Sequence, residues 1–487
     1  MVSERRALLI RFARGRLFTA HMWRGFVLAM ITVLFTTRRG TSLRSARRIA
    51  AVPRHSYRVR VVEDDGGLVG VPRKFQPTPF PYHHEMELRI DDVSNLGVGV
   101  GRVQLPATST NATSSWVVMV PLVLPGETVR VRVFRNHATY SEADLVEVVT
   151  PSPDRVQPQC QYFSVCGGCN YQMMSLPAQR RWKQAQVGSL LARLGGITDA
   201  TVSPVVGTEH AYHYRSKITP HYDAPRKAED LKVGFQRRGT RIIIDVDQCI
   251  IATPAINKEY ADARVALMEQ MSKKLPKKGA TLLFREGDGA HVETDPRKNM
   301  QQQVNGITFT FKAGEFFQNN AYVLPLMVNH VLSLCKGGGS RFLIDAYCGS
   351  GLFSLCAAAD FEAVYGVEVS DLAVQAAQAN AQANQILNAQ FLCGSSEAIF
   401  SQVKHLPSAD TVVLIDPPRK GCDEQFLSQL FAFSPKRVVY VSCDPATQAR
   451  DAKIMLAEGG YRITSVTPFD LFPQTRHIEN VIAFERD

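Results

Sequence analysis

Four short runs each end in a side chain that can do chemistry. In VVYVSCDPATQARD (438–451) Cys443 follows an apolar β-branched run, and in LIDPPRKG (414–421) Asp416 sits in the same kind of place. FLIDAYCGSGLFSL (342–355) carries Asp345 near the end of a strand pattern, then turns through Gly349 and Gly351 into a helix pattern; VYGVEVS (364–370) ends a further strand pattern near Glu368. In open α/β sheets, ligands sit outside the carboxyl ends of the strands, so these tips are expected to share one crevice. Glycines in the turn permit close approach of a ligand, and an acid at the next strand tip accepts hydrogen bonds from both ribose hydroxyls of an adenosine. The turn lacks the full dinucleotide fingerprint and the lysine of a phosphate loop. It suits S-adenosylmethionine, which has no phosphates, with Asp345 and the backbone of 347–351 around the amino-acid end. A purely structural turn in another α/β fold would share this local pattern.

A thiolate beside a methyl donor suits one reaction in particular. Carbon 5 of uracil is a poor nucleophile; adding a thiolate to carbon 6 makes an enolate, and carbon 5 can then accept a methyl group. A base must afterwards remove the carbon-5 proton so that sulfur can leave. FPQTRHIENV (472–481) offers His477 and Glu479 just before the final apolar strand pattern. From the residues alone, Glu479 is equally an exposed acid before a strand, His477 a satisfied turn histidine, and Cys443 a packed thiol, since free cysteine is often buried.

The elements that must position these groups are legible in outline. The chain has 487 residues, enough for about three domains. From about Gly314 onward, buried apolar runs alternate with Ala-rich helical stretches, the pattern of a parallel sheet with crossovers. The expected fold is α/β, with a Rossmann-like methyltransferase domain over 313–487 and a mixed α+β central domain over 155–312. Short strands punctuated by Gly, Pro and Asn over 85–150 predict a small antiparallel OB-like barrel.

The formal net charge is +11, but residues 1–60 hold fourteen Arg, no Lys and one acid, whereas the remainder holds 42 basic and 44 acidic residues. Overall charge therefore says nothing here about nucleic acid. Segment 1–60 has the Arg-rich, acid-poor composition of an organelle transit peptide; the expectation is a mitochondrial address, with plastid or cytoplasmic location and a disordered basic extension as alternatives. Its apolar run at 26–35 is too short to span a bilayer, and no membrane association is expected. Local basic groups in the central region are Arg215, Lys217, Arg237, Arg238 and Arg241.

CQYFSVCGGCNYQ (160–172) supplies Cys160, Cys166 and Cys169, and DVDQCII (245–251) adds Cys249. Together they form a four-thiolate site if the fold gathers them, and tetrahedral sulfur suits zinc or iron–sulfur alike. The alternative is a reduced, unliganded loop.

VSCDPATQARD, LIDPPRKG, DAYCGSGLFSL, FFQNN and FPQTRHIE, in this order and spacing, resemble the RNA 5-methyluridine (uracil-C5) methyltransferases, over about residues 85–487. That family makes 5-methyluridine in ribosomal RNA or ribothymidine in the T-loop of tRNA. The resemblance implies Cys443 as nucleophile, Glu479 as general base, and Gln318, Tyr347, Glu368 and Asp416 as cofactor contacts beside Gly349 and Gly351. It also implies a TRAM-like RNA-binding barrel, a structural [4Fe–4S] cluster on Cys160, Cys166, Cys169 and Cys249, an RNA partner (tRNA first, ribosomal RNA second), flipping of the target base, and a monomer. Two positions depart from the family pattern: Leu352 stands where some members have Asn, and Asp444-Pro445 stands for Asn-Pro. The rival from another class is a non-catalytic tRNA-binding or folding protein. A radical iron–sulfur methylase is disfavoured because the cysteines lack CxxxCxxC spacing.

Overall fold

The alternation of β-branched and polar residues after Met86 becomes five strands in the computed structural model, which describes residues 74–106, 114–394 and 399–486. The basic segment 1–60 lies outside the described residues. Strands β1 (Glu85–Val93), β2 (Val98–Leu105), β3 (Ser114–Pro121), β4 (Thr128–Asn136) and β5 (Tyr140–Thr150) close in the order β1-β2-β3-β5-β4. The expected wholly antiparallel barrel needs correcting. Directions cannot alternate all the way round a ring of five, and the odd pair is β3–β5, which runs parallel. Leu88, Ile90, Val118, Val120, Val129 and Val131 fill the interior. On the outside, arginines pair with acids across strands, as Arg132 does with Glu85 and Arg130 with Glu147. A buried pair, Arg155 to Glu127, fastens the barrel to the chain that follows.

That chain enters helix α1 (Leu176–Leu190), continues through a wider turn over Leu191–Gly195, and stops at Gly196, whose φ of 67° supplies a left-handed cap. Beyond α1 come the short strands β6 (Lys217–Ile218), β7 (His221–Tyr222), β8 (Gly234–Gln236) and β9 (Ile243–Asp245), then helix α2 (Pro254–Lys273), capped by Thr253. Strands β10 (Ala280–Thr281), β11 (Phe284–Glu286) and β12 (Val292–Glu293) complete two small sheets, β10-β7-β8-β9 and β12-β11-β6. A regular hairpin follows, β13 (Asn299–Val304) with β14 (Ile307–Lys312).

The remaining chain runs α3 (Leu324–Lys336), β15 (Phe342–Ala346), α4 (Leu352–Ala357), β16 (Ala363–Glu368), α5 (Asp371–Ala383), β17 (Ala389–Cys393), α6 (Ile399–Val403), β18 (Thr411–Ile415), α7 (Glu424–Phe433), β19 (Arg437–Ser442), α8 (Pro445–Ala457), β20 (Arg462–Phe469) and β21 (Glu479–Glu485). The sheet order is β17-β16-β15-β18-β19-β21-β20, with the strand order reversing about β15 and β18. Alternate residues face two cores. Leu343, Val412, Leu414 and Val439 face α3, α4, α5 and the hairpin; Ile344, Val413, Ile415 and Val438 face α7, α8 and the end of α1. Each fully buried Leu or Ile here stabilises the fold by about 2–5 kcal/mol relative to Ala. The expected boundary at 312/313 thus runs between the sheet and two pieces, α1 and the hairpin, that help cover it. The sheet is also not purely parallel: β21 runs antiparallel between β19 and β20. That reversal places the start of β21 at the carboxyl end of β19.

Candidate active site

Crowding shapes the glycine turn after β15. Tyr347 takes φ 66°, and its N–H and that of Cys348 both donate to the Val367 carbonyl. Gly351 has φ 88°, where a side chain is strained, and a Cβ there would stand 3.1 Å from the Phe391 ring, which would have to give way by a few tenths of an ångström. Gly349 has φ 53° and open space where a Cβ would project. Its N–H donates to Glu368 Oε2 at 3.2 Å, while Glu368 Oε1 accepts from Ser370 N at 2.9 Å. The β16 tip and the glycine turn therefore face each other. Asp345 is fully buried; its Oδ2 accepts from Ser354 N and Oγ at 3.0 and 2.6 Å, and its Oδ1 is without a partner. Burial, then the charge of Glu368, pushes its carboxyl up to about 7. An open glycine cradle, an acid at the next strand tip and an unsatisfied buried carboxylate oxygen fit an adenosine-bearing cationic ligand.

Asp416 follows β18 and meets this group, its N–H donating to the Ala346 carbonyl. Burial and the charge of Asp345 push its carboxyl up to about 7. Cys443 follows β19. Asp444 N-caps α8, its carboxylate accepting from Ala446 N and Thr447 N, with Pro445 in the first turn; the departure from Asn-Pro keeps a strong capping residue.

Strand register brings the reactive pair together. Ser442 of β19 faces Asn480 of β21, so the next position along β19, Cys443, comes to the end where β21 begins with Glu479. Glu479 is 5% exposed. Burial, then the charge of Asp416, raises its carboxyl to about 8, against the pull of Arg419. Burial first, then the charges of Glu479 and Asp416, raises the Cys443 thiol to about 12; the charge of Arg419 opposes this. Arg419 is thus the cation common to both groups, and sequence reasoning missed it although it lies in the LIDPPRKG run. Thr447 Oγ1 donates to the Arg419 carbonyl. Buried Asp451 accepts from Cys422 N and the Tyr440 hydroxyl, fixing the following turn. Burial, then Arg419 and Arg476, pushes His477 down to about 4, so it is neutral near pH 7.

Gln318 lies in the loop between the hairpin and α3, 7% exposed. Fully buried Arg285 holds that loop by donating to the carbonyls of Glu315 and Phe317, and Lys217 donates to those of Gly314 and Glu315. Phe317 packs on Phe311, with ring centroids 4.4 Å apart, whereas Phe316 is 78% exposed. Three of the basic groups read from sequence therefore donate to backbone carbonyls. Lys217 is one; Arg215 donates to the Lys217 carbonyl, and Arg238 to those of Phe163, Cys166 and Cys169.

Cys160, Cys166, Cys169 and Cys249 line one cavity of about 840 Å³ that extends to Arg215, Thr475 and His477. None is in a disulfide. Burial raises Cys169 to about 12 and Cys249 to about 11, with charge on neighbouring thiols adding to both. The donor set suits a soft metal; yet among the described residues no three His, Cys, Asp or Glu side chains are placed to hold a metal ion.

The family model described as tRNA (uracil-5-)-methyltransferase matches residues 257–487. A tRNA (uracil(54)-C(5))-methyltransferase of Schizosaccharomyces pombe is 38% identical over 429 residues, covering 84% of this chain and 79% of the relative. The Saccharomyces cerevisiae protein of the same name is 34% identical, covering 84% and 75%. Among solved structures, Pyrococcus abyssi tRNA (uracil-54, C5)-methyltransferase in complex with S-adenosyl-L-homocysteine matches with a TM-score of 0.62 at 23% identity, over 82% of this chain and all of that one; this likeness bears on the fold.

Proposed function

This chain belongs to the tRNA (uracil-5-)-methyltransferase family, and on that premise we propose that it methylates carbon 5 of a uracil in RNA, with the T-loop uridine of tRNA as its substrate. The observation that carries the reading is the register of β19 against β21, which brings Cys443 and Glu479 to one end beside Asp416 and Arg419. S-adenosylmethionine, when bound, supplies an electrophilic methyl group. Gly349 and Gly351 would admit it, Glu368 would take its ribose hydroxyls, and Gln318, Tyr347 and Asp416 would complete its site.

Cys443 acts as a thiolate, and at about 12 the resting thiol needs help to ionise. Arg419 provides it, and a proton on Glu479, near 8, removes one of the charges that oppose it. The thiol gives its proton to solvent, sulfur bonds to carbon 6, and the carbon 5–carbon 6 π pair moves to carbon 5 and the carbon-4 carbonyl. After carbon 5 is methylated, Glu479, having released its own proton to solvent, takes the carbon-5 proton as a carboxylate, the carbon 5–carbon 6 double bond re-forms, and the pair of the C–S bond returns to sulfur. A base near 8 is well matched to neutral solution. Reaching the buried pair requires the uridine to leave its stack.

The barrel, as a TRAM-like module, is our proposal for holding the RNA outside this pocket. The four cysteines are proposed to carry a [4Fe–4S] cluster of structural role, which requires their side chains to close on one another; iron and sulfide in anaerobically purified protein would support it, and zinc would overturn it. A mitochondrial address in residues 1–60 is proposed from composition and is tested by fusing that segment to a fluorescent protein. Among the described residues no helix is long and apolar enough to cross a membrane. The substrate proposal is tested by nucleoside mass spectrometry of tRNA and ribosomal RNA transcripts after incubation with the chain and S-adenosylmethionine. 5-Methyluridine confined to the T-loop is expected; methylation of ribosomal RNA alone would reassign the substrate.

A further inference from the structure

The loop from Asp470 to His477 joins β20 to Glu479, and groups far away in sequence hold it. Lys183, fully buried on α1, donates to Asp470 Oδ1 at 2.6 Å and to the Phe472 carbonyl at 3.1 Å. The Tyr214 hydroxyl donates to the Pro473 carbonyl at 2.9 Å. The centre of the grip is Gln474, 3% exposed and at φ 69°, a left-handed conformation that a non-glycine residue keeps only when its surroundings enforce it. Gln474 N donates to Gln179 Oε1 at 2.9 Å, and Gln179 Nε2 donates back to Gln474 Oε1 at 3.0 Å. The Gln474 carbonyl accepts from Asn170 N and Tyr171 N at 2.9 and 3.0 Å. Gln179 Nε2 also donates to the carbonyls of Tyr171 and Met174, so one side chain ties the cysteine-bearing segment, α1 and the Glu479 loop together.

We infer that the Gln179–Gln474 clamp is a positioning device for Glu479, coupling the order of the segment around Cys169 to the final proton transfer. The inference rests on the reading of Glu479 as base. The clamp touches the Glu479 side of the pair; Cys443 is held separately, by β19 and the Asp444 cap of α8. Loosening the clamp therefore leaves sulfur addition and RNA binding intact and slows removal of the carbon-5 proton. The C–S bond then breaks late, and covalent enzyme–RNA accumulates. A merely structural clamp would lower activity only as it lowers stability.

The test uses the full chain with a tRNA transcript and methyl-labelled S-adenosylmethionine, reading adduct on denaturing gels alongside kcat, KM and thermal midpoint. Gln474→Gly keeps the positive φ without strain and deletes the bond to Gln474 Oε1; Gln179→Met deletes that bond together with those Gln179 makes to Gln474 N, Tyr171 and Met174. Both are expected to lower kcat about tenfold or more at an unchanged KM for RNA, and to raise labelled adduct at least about fivefold. Loss of kcat that follows the thermal midpoint without added adduct, or no change in either, overturns the inference. Glu479→Gln is the control. If it traps labelled adduct and the clamp variants do not, the clamp fails; if it traps none, the base assignment fails, and the clamp with it.

Discussion

The strand-tip crevice and the cysteine-lined cavity both hold thiols that burial keeps protonated, but they hold them differently. Cys443 stands at the end of a central strand, facing a carboxyl through antiparallel register, with the Arg419 charge opposing the rise of its thiol. Cys160, Cys166 and Cys169 stand on a loop shaped by Arg238, whose guanidinium bonds three of the loop's carbonyls. The thiol proposed to form and break a covalent bond is fixed by the sheet, while those proposed to ligate are carried by a loop. A reacting pair needs its separation set to within a fraction of an ångström; ligands can close around what they bind.

The largest expected effect separates the two thiol sets outright. Cys443→Ser abolishes both 5-methyluridine formation and RNA adduct, whereas Cys169→Ser retains adduct formation and changes metal content; adduct is read by denaturing electrophoresis and metal by elemental analysis. Glu479→Gln comes next. It lowers kcat by about 10²–10⁴ while sparing sulfur addition, so a single-turnover assay shows a burst of adduct that decays slowly. The pH profile of adduct release follows in size. Only the Glu479 carboxylate accepts the carbon-5 proton, and its carboxyl is raised to about 8; release should therefore speed up about tenfold per pH unit well below that value and level off above it. The smallest effect is that of Arg419→Met. Removing the cation raises the Cys443 thiol further, slowing adduct formation about tenfold at pH 7, with recovery as pH rises.

Most of the site was legible because its residues lie at strand tips in runs that declare themselves locally: Asp416 after LI, Cys443 after VVYVS, and a glycine turn after Asp345. The barrel was legible from its turns, though not its parallel pair, which follows from closing five strands. What could not be read is what acts across the chain. Lys183 meets Asp470 and Gln179 meets Gln474 at separations of 287 and 295 residues, and nothing near either partner announces the other. Arg238 and Lys217 read as surface charge, yet tertiary packing turned both inward onto backbone carbonyls. His477 and Glu479 could not be ranked from sequence; burial, then Arg419 and Arg476, lowers His477 to about 4, whereas burial raises Glu479 to about 8, so His477 is the weaker base.

The most direct test of the central claim is intact mass spectrometry of the Glu479→Gln protein after incubation with S-adenosylmethionine and a tRNA transcript, followed by peptide mapping. The account predicts a covalent complex carrying a methylated uridine linked to Cys443, absent from the Glu479→Gln/Cys443→Ser double variant. An adduct on any other residue, or one of equal yield in the double variant, would contradict it.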